Sequence, residues 1–387
     1  MKNIFIVTGS RAEYGLLKYL IREFRQDLSI NFKLIVTGSH LMKNYGATFN
    51  EILSDSNKID KKIFLRLKSD KKYDIAKVTG EAIYKFSNYF NKNKCDLLIV
   101  LGDRYEIFAA TIAAYFMNIK IAHFHGGEIT KGAIDEGIRH SITKMSNYHF
   151  VSTEIYKKRV IQLGENRKNV FNVGAISLDN ILKTKLLNKK NLEKEIKFKF
   201  KQINILFTYH PVTLERYTAK KQIKKILEAL KYFNSYGIIF TLPNADPDNN
   251  IISVALTEFV KDNSDRCILY KSLGSLKYFS CLKYVDIVIG NSSSGIIEVP
   301  NFNIPTINIG DRQKGRISSK SVINVKCDKN EIINSIKESL TLSFKQKIKK
   351  SNNPYFKKNT IKKSFKIIKN LDLSKNIKKN FNDIKIK

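Results

Sequence analysis

The sequence predicts two α/β domains, each built on a doubly wound parallel sheet. Short apolar runs alternate with amphipathic helical segments along both halves of the 387-residue chain. Such alternation is typical of parallel sheets covered by helices on both faces. The pattern weakens in a Lys- and Asn-rich stretch around residues 178–202. We therefore expect an N-terminal domain over 1–177, a linker region over 178–202, a C-terminal domain over 203–370 and a Lys-rich terminal segment over 371–387.

In the N-terminal half, apolar runs predict strands and 3.6-residue periodicity predicts the helices between them. The run DLLIVL at Asp96–Leu101 is almost continuously apolar, which is typical of a strand covered on both faces. The other predicted strands are Asn3–Val7, Phe32–Val36, Ile63–Leu67, Ile119–Phe124 and His149–Val151. The predicted helices are Tyr14–Arg25, Tyr73–Phe90, Ile107–Met117 and Asp135–Met145.

The C-terminal half repeats this alternation. Its predicted strands are Ile203–Thr208, Ile238–Leu242, Cys267–Tyr270, Ile287–Ile289 and Thr306–Ile309. Its predicted helices are Glu215–Phe233, Ile251–Val260, Ser275–Cys281 and Gly295–Asn301. Ligands of open parallel sheets bind beyond the carboxyl ends of the strands, and polar residues gather there in both halves. We therefore expect an active site in a cleft between the domains.

Composition excludes several classes of protein. The 18 Gly and 6 Pro exclude a collagen-like chain, and the four cysteines lack the CxxC spacing of a zinc ribbon or a thioredoxin-like motif. No apolar run reaches the roughly 18 residues of a membrane span, and the N-terminal apolar stretch is too short for a signal peptide. We therefore expect a cytoplasmic protein with no membrane partner.

The net charge of +34 raises the question of nucleic-acid binding. Most of the positive charge comes from Lys, and a compositional bias can spread it over the whole surface. The C-terminal stretch has apolar residues at partly helical spacing, which favours a solvated Lys-rich helix. We expect no nucleic-acid partner.

One candidate anion site is the sequence GNSSSG at Gly290–Gly295, between a predicted strand and a predicted helix. Backbone N–H groups and hydroxyls at a helix N-terminus suit a phosphate, although helix capping alone is the alternative. The turn is not a Walker A motif, and no GxGxxG follows the first strand, so a nicotinamide site is not supported.

Arginines stand out where they follow predicted strands in this Lys-rich chain. The planar guanidinium fork suits a diphosphate, although each could equally form a structural ion pair. These residues are Arg11, Arg104, Arg139, Arg312 and Arg316.

A dense group of titratable residues begins at the end of a predicted strand. Its members are His123, His125, Glu128, Asp135, Glu136 and His140. His123 and His125 bracket Phe124, so within a strand they would point the same way. Zinc ligation is one interpretation, but acid–base chemistry in a closed cleft fits better.

Two further catalytic candidates also follow predicted strands. His210 lies in the sequence YHP, and Asp103 follows Gly102 at the end of the buried strand. Glu106, in the first turn of the next helix, is explained by complementing the helix dipole.

These residues lie in motifs that resemble the hydrolysing UDP-N-acetylglucosamine 2-epimerases of sialic acid biosynthesis. The chain is also similar to their relatives that act on the diacetylated bacillosamine nucleotide for legionaminic acid. The matching motifs are TGSRAEY at Thr8–Tyr14, LGDRYE at Leu101–Glu106, HFHGGE at His123–Glu128, DEGIRHSITK at Asp135–Lys144, YHPVT at Tyr209–Thr213, PNAD at Pro243–Asp246, GNSSSG with Glu298, and GDRQKGR at Gly310–Arg316.

The resemblance implies two Rossmann-like domains in the glycosyltransferase-B arrangement, with a nucleotide sugar in the interdomain cleft. It also implies elimination of UDP followed by hydration of a glycal, with no cofactor or metal, in a homo-oligomer. A glycosyltransferase of the same architecture is the runner-up. The amino sugar, the nucleobase and the C2 base stay open at this stage.

The resemblance also carries residue roles. Arg11, Ser292, Ser293 and Arg312 match positions that bind the diphosphate and uridine, and Glu298 matches a ribose contact. Asp103, Asp135 and His210 match acid–base positions, and Arg139 matches a residue that orients the carboxylates. Further expected substrate contacts are Arg104, His123 and Asn244. Non-hydrolysing relatives have Glu where this chain has His125, so Glu128 is the alternative source of a carboxylate.

Overall fold

The computed structural model describes residues 1–42, 46–55, 57–69, 71–130, 134–211, 218–243, 249–374 and 378–383. It divides the chain into two compact units. The first unit contains Met1–Glu128, Asp135–Asn180 and Lys357–Lys387, and the second contains Ile129–Ile134 and Ile181–Phe356. Each unit has its own parallel sheet, which confirms the predicted pair of α/β domains. No helix in the described ranges is long and apolar enough to cross a membrane.

The sheet of the first unit has seven strands in the order β3-β2-β1-β4-β5-β6-β7. These strands are β1 Lys2–Thr8, β2 Ile30–Thr37, β3 Lys61–Ile63, β4 Leu97–Leu101, β5 Lys120–Phe124, β6 Tyr148–Val151 and β7 Val170–Asn172. Its helices along this part of the chain are α1 Arg11–Gln26, α2 Phe49–Ser54, α3 Lys72–Lys92, α4 Tyr105–Phe116, α5 Asp135–Met145 and α6 Glu154–Gln162. Helix α7, Ile176–Lys183, crosses the boundary between the two units.

Strand β4 shows why this sheet is covered on both faces. Leu97, Ile99 and Leu101 belong to one hydrophobic cluster, whereas Leu98 and Val100 belong to another. Alternate residues of a strand point to opposite faces, so both faces of β4 are packed against apolar side chains. The continuous apolar run predicted this double burial correctly.

The sheet of the second unit has six parallel strands in the order β10-β9-β8-β11-β12-β13. These strands are β8 Asn204–Thr208, β9 Gly237–Thr241, β10 Cys267–Tyr270, β11 Ile287–Gly290, β12 Thr306–Ile309 and β13 Val322–Val325. Its helices are α8 Lys189–Glu195, α9 Ala219–Lys231, α10 Asn249–Asp262, α11 Gly274–Cys281, α12 Ser294–Ile297, α13 Lys329–Ser339 and α14 Leu342–Lys349.

The predicted linker differs from the structure. Leu192 and Ile196 are fully buried and pack with Phe198 in the second unit's core. Leu192 lies in the short helix α8 and Ile196 directly follows this helix, both among lysines. The composition of the stretch therefore resembles a linker although its apolar side chains are buried. The long segment of the second unit accordingly begins at Ile181 and includes most of residues 178–202.

The end of the chain returns to the first unit, which corrects the predicted C-terminal domain over 203–370. Helix α15, Thr360–Asn370, packs on α1, and the rings of Phe365 and Phe24 are 5.1 Å apart. Thr360 donates its hydroxyl hydrogen to the Val173 carbonyl at 2.7 Å. A helical period shows which face of a helix is apolar but not which sheet that face covers, so the sequence could not assign α15.

The Lys-rich terminal segment is anchored as well. The Lys379 ammonium lies at the end of α5, where it donates to the carbonyls of Lys144 and Ser146 and contacts the Glu165 carboxylate at 2.9 Å. The amide of Asn382 donates to the Gly164 carbonyl at 2.9 Å. At these positions the segment packs on the first unit rather than being fully solvated.

Several predicted elements shift in the structure. The strand predicted at Ile63–Leu67 lies instead at β3, and the short edge strands β7 and β13 were not predicted. Both missed strands have only three or four residues and contain Asn, so they lack a strong apolar run. The helix predicted at Gly295–Asn301 is α12 followed by a 3₁₀ turn at Val299–Phe302, which has a proline in its first turn. Part of the predicted helix Glu215–Phe233 lies outside the described residues.

Candidate active site

The first loop of the first unit presents Arg11 at the start of α1. Ser10 caps this helix, accepting from the Glu13 amide. Burial lowers the pKa of Arg11, with the Glu51 carboxylate acting against that shift. Among the described residues, none forms a hydrogen bond with the Arg11 guanidinium. A half-buried guanidinium with no hydrogen bond to the described residues is suited to pair with an anion.

Beneath this loop lie two buried carboxylates that share one arginine. Glu13 accepts from the Gly9 amide at 2.7 Å, and Arg104 Nε donates to Glu106 Oε1 at 2.8 Å. The Glu13 Oε1–Arg104 Nε distance is 4.0 Å. Arg104, expected to contact substrate, is thus held by Glu106. Interaction with the helix dipole does not suffice to explain Glu106, because this residue is fully buried. Sequence reasoning missed Glu13, although Ser10-x-x-Glu13 has capping-box spacing.

The Glu13 carboxyl predicts a specific pH dependence of stability. Burial, reinforced by Glu106, raises the pKa of Glu13 to about 8 from 4.5. The folded state therefore holds this proton more tightly than the unfolded state, and its stabilising effect is lost as pH rises through that interval. We expect the free energy of unfolding of the wild type to fall relative to Glu13→Gln between about pH 5 and pH 8. Urea titrations of both proteins across this range measure the difference, and parallel stability curves would contradict it.

His123, expected to bind substrate, is fully buried, and both of its ring nitrogens contact groups of the first unit. Its Nε2 lies 2.9 Å from the Gly102 carbonyl, and its Nδ1 lies 3.1 Å from the Thr143 hydroxyl. Burial lowers the pKa of His123 to about 3, so the ring is neutral. Because a carbonyl only accepts, Nε2 carries the ring hydrogen. Both nitrogens are occupied, and the side chain fixes the turn that presents Asp103.

Arg139 joins two parts of the predicted acid–base group. It is 3% exposed, and its guanidinium pairs with the Asp103 carboxylate and donates to the Glu128 carbonyl at 2.8 Å. Asp135 lies one turn earlier on the same face of α5. The structure therefore places Asp103, Arg139 and Glu128 together at the carboxyl ends of β4 and β5.

His125 and Glu128 form a second contact in the same area. His125 Nδ1 lies 2.9 Å from Glu128 Oε1, which also accepts from the Ser152 hydroxyl at 2.9 Å. The expectation that His123 and His125 share a direction fails, because β5 ends at Phe124 and His125 has φ of +66°. Ser152 carried no motif, and only its position directly after a predicted strand could have indicated it.

In the second unit, Asn291 holds His210 in place. The His210 amide donates to Asn291 Oδ1 at 2.7 Å, and Asn291 Nδ2 donates to the His210 carbonyl at 2.8 Å. Gly290 precedes it with φ of +140°, and a Cβ there would lie 1.8 Å from the Thr208 carbonyl oxygen. Only glycine fits this close approach of β11 and β8. Asn291 was not predicted, since nothing in its sequence identifies a partner 81 residues away.

The helix that follows the GNSSSG turn differs from the prediction. Helix α12 has only four residues, so the helix that follows the turn is shorter than the predicted Gly295–Asn301. Ser292 and Ser293 are half-buried, and Ser294 accepts from the Tyr278 hydroxyl at 2.8 Å. Glu298 is 9% exposed, and its carboxylate accepts no hydrogen bond from the described part of the chain.

Two basic side chains complete this group. Arg312 donates to the Asn291 carbonyl at 3.1 Å, as does Gln313 at 2.9 Å. Arg316 donates from Nε to the Ile129 carbonyl at 2.8 Å, within the same unit. His210, Arg312 and the serine turn are therefore connected through Asn291. The predicted contact Asn244 lies outside the described residues.

The zinc interpretation needs a cluster of metal-ligating side chains. Within the described ranges, no three His, Cys, Asp or Glu side chains are grouped as metal ligands. The two motif histidines use their nitrogens differently, His123 on a carbonyl and a hydroxyl and His125 on a carboxylate.

The chain is similar to proteins of one family. A family model described as UDP-N-acetylglucosamine 2-epimerase matches residues 22–369. The chain is 42% identical over 377 residues to polysialic acid biosynthesis protein P7 of Escherichia coli, covering 97% of this chain and 96% of that protein. It is 44% identical over 323 residues to the GDP/UDP-N,N'-diacetylbacillosamine 2-epimerase (hydrolyzing) of Campylobacter jejuni, covering 84% of each.

A solved structure supports the fold. The UDP-GlcNAc 2-epimerase from Neisseria meningitidis bound to UDP-GlcNAc matches with a TM-score of 0.81. The match covers 95% of this chain and 99% of that chain at 20% identity. The likeness extends over both α/β units.

Proposed function

Since the chain belongs to the UDP-N-acetylglucosamine 2-epimerase family, we propose that it is a hydrolysing 2-epimerase. Its proposed substrate is UDP-N-acetylglucosamine, and its products are N-acetylmannosamine and UDP. The observation that carries this proposal is the network of the partly buried Asp103 with the buried Arg139, Glu128 and His125. A set of carboxylates, an imidazole and an arginine in contact is suited to moving a proton at a sugar carbon.

The proposed reaction begins with elimination. A base takes the C2 proton, the C2–H electron pair forms the C1=C2 bond, and the C1–O bond breaks with its electrons on the departing diphosphate. Water then adds across the double bond of the glycal, with hydroxyl at C1 and hydrogen at C2 on the opposite face. The product differs from the starting sugar in configuration at C2.

The physical difficulty is the weak acidity of a C2 hydrogen beside an acetal. Stabilisation of the leaving diphosphate must therefore supply much of the rate enhancement. Arg11 in the first unit and Arg312, Ser292 and Ser293 in the second are the proposed anion-binding groups. His210 is the proposed acid–base residue of the second unit, and Glu298 is the proposed ribose contact.

A second candidate substrate is the nucleotide-linked 2,4-diacetamido-2,4,6-trideoxyglucose. The relative that favours it is the C. jejuni protein, which is named as a diacetylbacillosamine epimerase and is 44% identical. The E. coli relative, named for polysialic acid biosynthesis, favours the first candidate. The two sugars differ at C4 and C6, while the chemistry at C1 and C2 is the same.

Incubation of the purified protein with each nucleotide sugar in deuterated water tests this proposal. We expect UDP and a free 2-epimerised sugar that carries deuterium at C2, because the incoming hydrogen comes from solvent. Mass spectrometry and proton NMR of the product measure both features. Retention of protium at C2, or a product still linked to UDP, would contradict the hydrolysing elimination.

A further inference from the structure

We propose that His125 Nε2 is the base that takes the C2 proton, and that Glu128 and Ser152 are positioning residues that hold its ring. This inference rests on the proposed function and names the group that performs its first step.

The backbone fixes His125 directly after β5. Its amide donates to the Phe150 carbonyl at 2.9 Å, and its φ of +66° lies in the left-handed region. A Cβ on Gly126 would lie 3.0 Å from the Thr143 hydroxyl, and one on Gly127 would lie 2.7 Å from the Tyr156 carbonyl oxygen. A non-glycine residue keeps such a conformation only where its surroundings enforce it, and these conformations cluster at functional sites.

The contacts of Glu128 decide which ring nitrogen carries hydrogen. Ser152 donates its hydroxyl hydrogen to Glu128 Oε1, and His125 Nδ1 lies 2.9 Å from the same oxygen. An ionised carboxylate only accepts hydrogen bonds, so Nδ1 must be the donor. In the neutral form of the ring, the lone pair is therefore on Nε2. This is the same relation by which an aspartate sets the tautomer of the base in serine proteases.

The Nε2 atom of His125 lacks a hydrogen-bond partner among the described residues, although the atom is buried. Buried polar atoms in folded proteins are almost always paired, so an orphaned acceptor needs an explanation. A substrate hydrogen delivered to this position provides one.

Glu128 is less suited than His125 to touch the substrate. Its side chain is 4% exposed, against 11% for His125, and its Oε1 already accepts from two groups. After proton transfer, the imidazolium would lie 2.9 Å from this carboxylate, which stabilises it as a charge-assisted hydrogen bond. Near His125, His123 is neutral and Arg139 contacts the Glu128 carbonyl, so Glu128 supplies the compensating charge.

The first test removes the imidazole of His125 by mutation and adds free imidazole to the assay. His125→Gly suits the left-handed backbone, since glycine adopts a positive φ without strain. It should lower kcat by about 10²- to 10⁴-fold, and added imidazole should restore turnover in proportion to its neutral form. Glu128→Gln should also be slow but should gain nothing from imidazole, because its base is present and only misplaced. The wild type on the same nucleotide sugar is the reference.

Two kinetic outcomes would overturn the assignment. One is near-normal turnover by His125→Gly, and the other is failure of imidazole to rescue it while formate rescues Glu128→Gln. A wild type that turns over no nucleotide sugar would instead overturn the proposed function.

For the positioning role, Ser152→Ala should lower kcat with little change in KM, whereas Ser141→Ala on the exposed face of α5 should change neither.

The second test observes the ring without any turnover. The chain has six histidines, so ¹⁵N-histidine labelling gives a spectrum in which His125→Gly identifies one pair of nitrogens. We expect a protonated Nδ1 and an unprotonated Nε2 in the neutral ring, and loss of this preference in Glu128→Gln. A neutral ring with its hydrogen on Nε2 would overturn the assignment independently of activity.

Discussion

Replacement of His210 by alanine should reduce kcat for nucleotide-sugar turnover by about 10²- to 10⁴-fold if the imidazole transfers a proton in the reaction. His210 is 5% exposed, and Asn291 hydrogen-bonds its backbone from both sides. Such fixation lowers the reorganisation needed to bring the ring to the reacting atoms. Steady-state assays of UDP release at saturating substrate measure the loss.

A control separates chemistry from binding in this variant. His210→Ala keeps the backbone groups that bond to Asn291, so the protein should still bind UDP, as calorimetry can measure. Weakened UDP binding with unchanged kcat would assign His210 to substrate binding. Near-normal kcat and normal binding together would remove it from the reaction.

Replacement of Arg139 by methionine should destabilise the first unit and abolish efficient turnover. The guanidinium is 3% exposed and pairs with Asp103, so its removal leaves a partly buried carboxylate without its counter-charge. Removing one partner of a fully buried ion pair costs about 3–5 kcal/mol of unfolding free energy, and because Asp103 is partly exposed we expect a loss at the low end of this range. Urea-induced unfolding followed by circular dichroism measures the change.

Asp103→Asn provides the matched control for this substitution. The asparagine keeps the shape of Asp103 and removes its charge, so in the Arg139→Met background it should recover part of the lost stability. A double-mutant cycle over the four proteins gives the coupling between the two side chains. A coupling near zero would show that Arg139 acts through the Glu128 carbonyl alone.

Much of the fold could be predicted from the sequence because buried parallel strands are locally apolar. Strand β4 is the clearest case, since its double burial requires the continuous run that the sequence shows. The assignment of α15 failed for a different reason. Its apolar face is equally suited to either sheet by composition, and the choice depends on contacts with Phe24 and Val173 that are distant in sequence.

The site was predictable at the level of motifs but not of contacts. The residues of HFHGGE were identified, yet strand alternation could not reveal that β5 ends before His125 and that the backbone then turns to positive φ. The roles of Asn291 and Ser152 depend on hydrogen bonds to residues 81 and 24 positions away, respectively. Such pairings arise from the topology of the sheets, which bring the ends of separate strands together.

The return of the chain to its first unit has a consequence for synthesis on the ribosome. Ile361 and Ile368 are fully buried in the cluster that also contains Ile4 and Leu17. The unit that is translated first therefore cannot close its core until Ile361 and Ile368 have been translated. The second unit is complete by Phe356, so its residues emerge before the other unit is finished. Nascent chains stopped short of α15 would expose apolar side chains of the first unit, a surface for chaperones to protect.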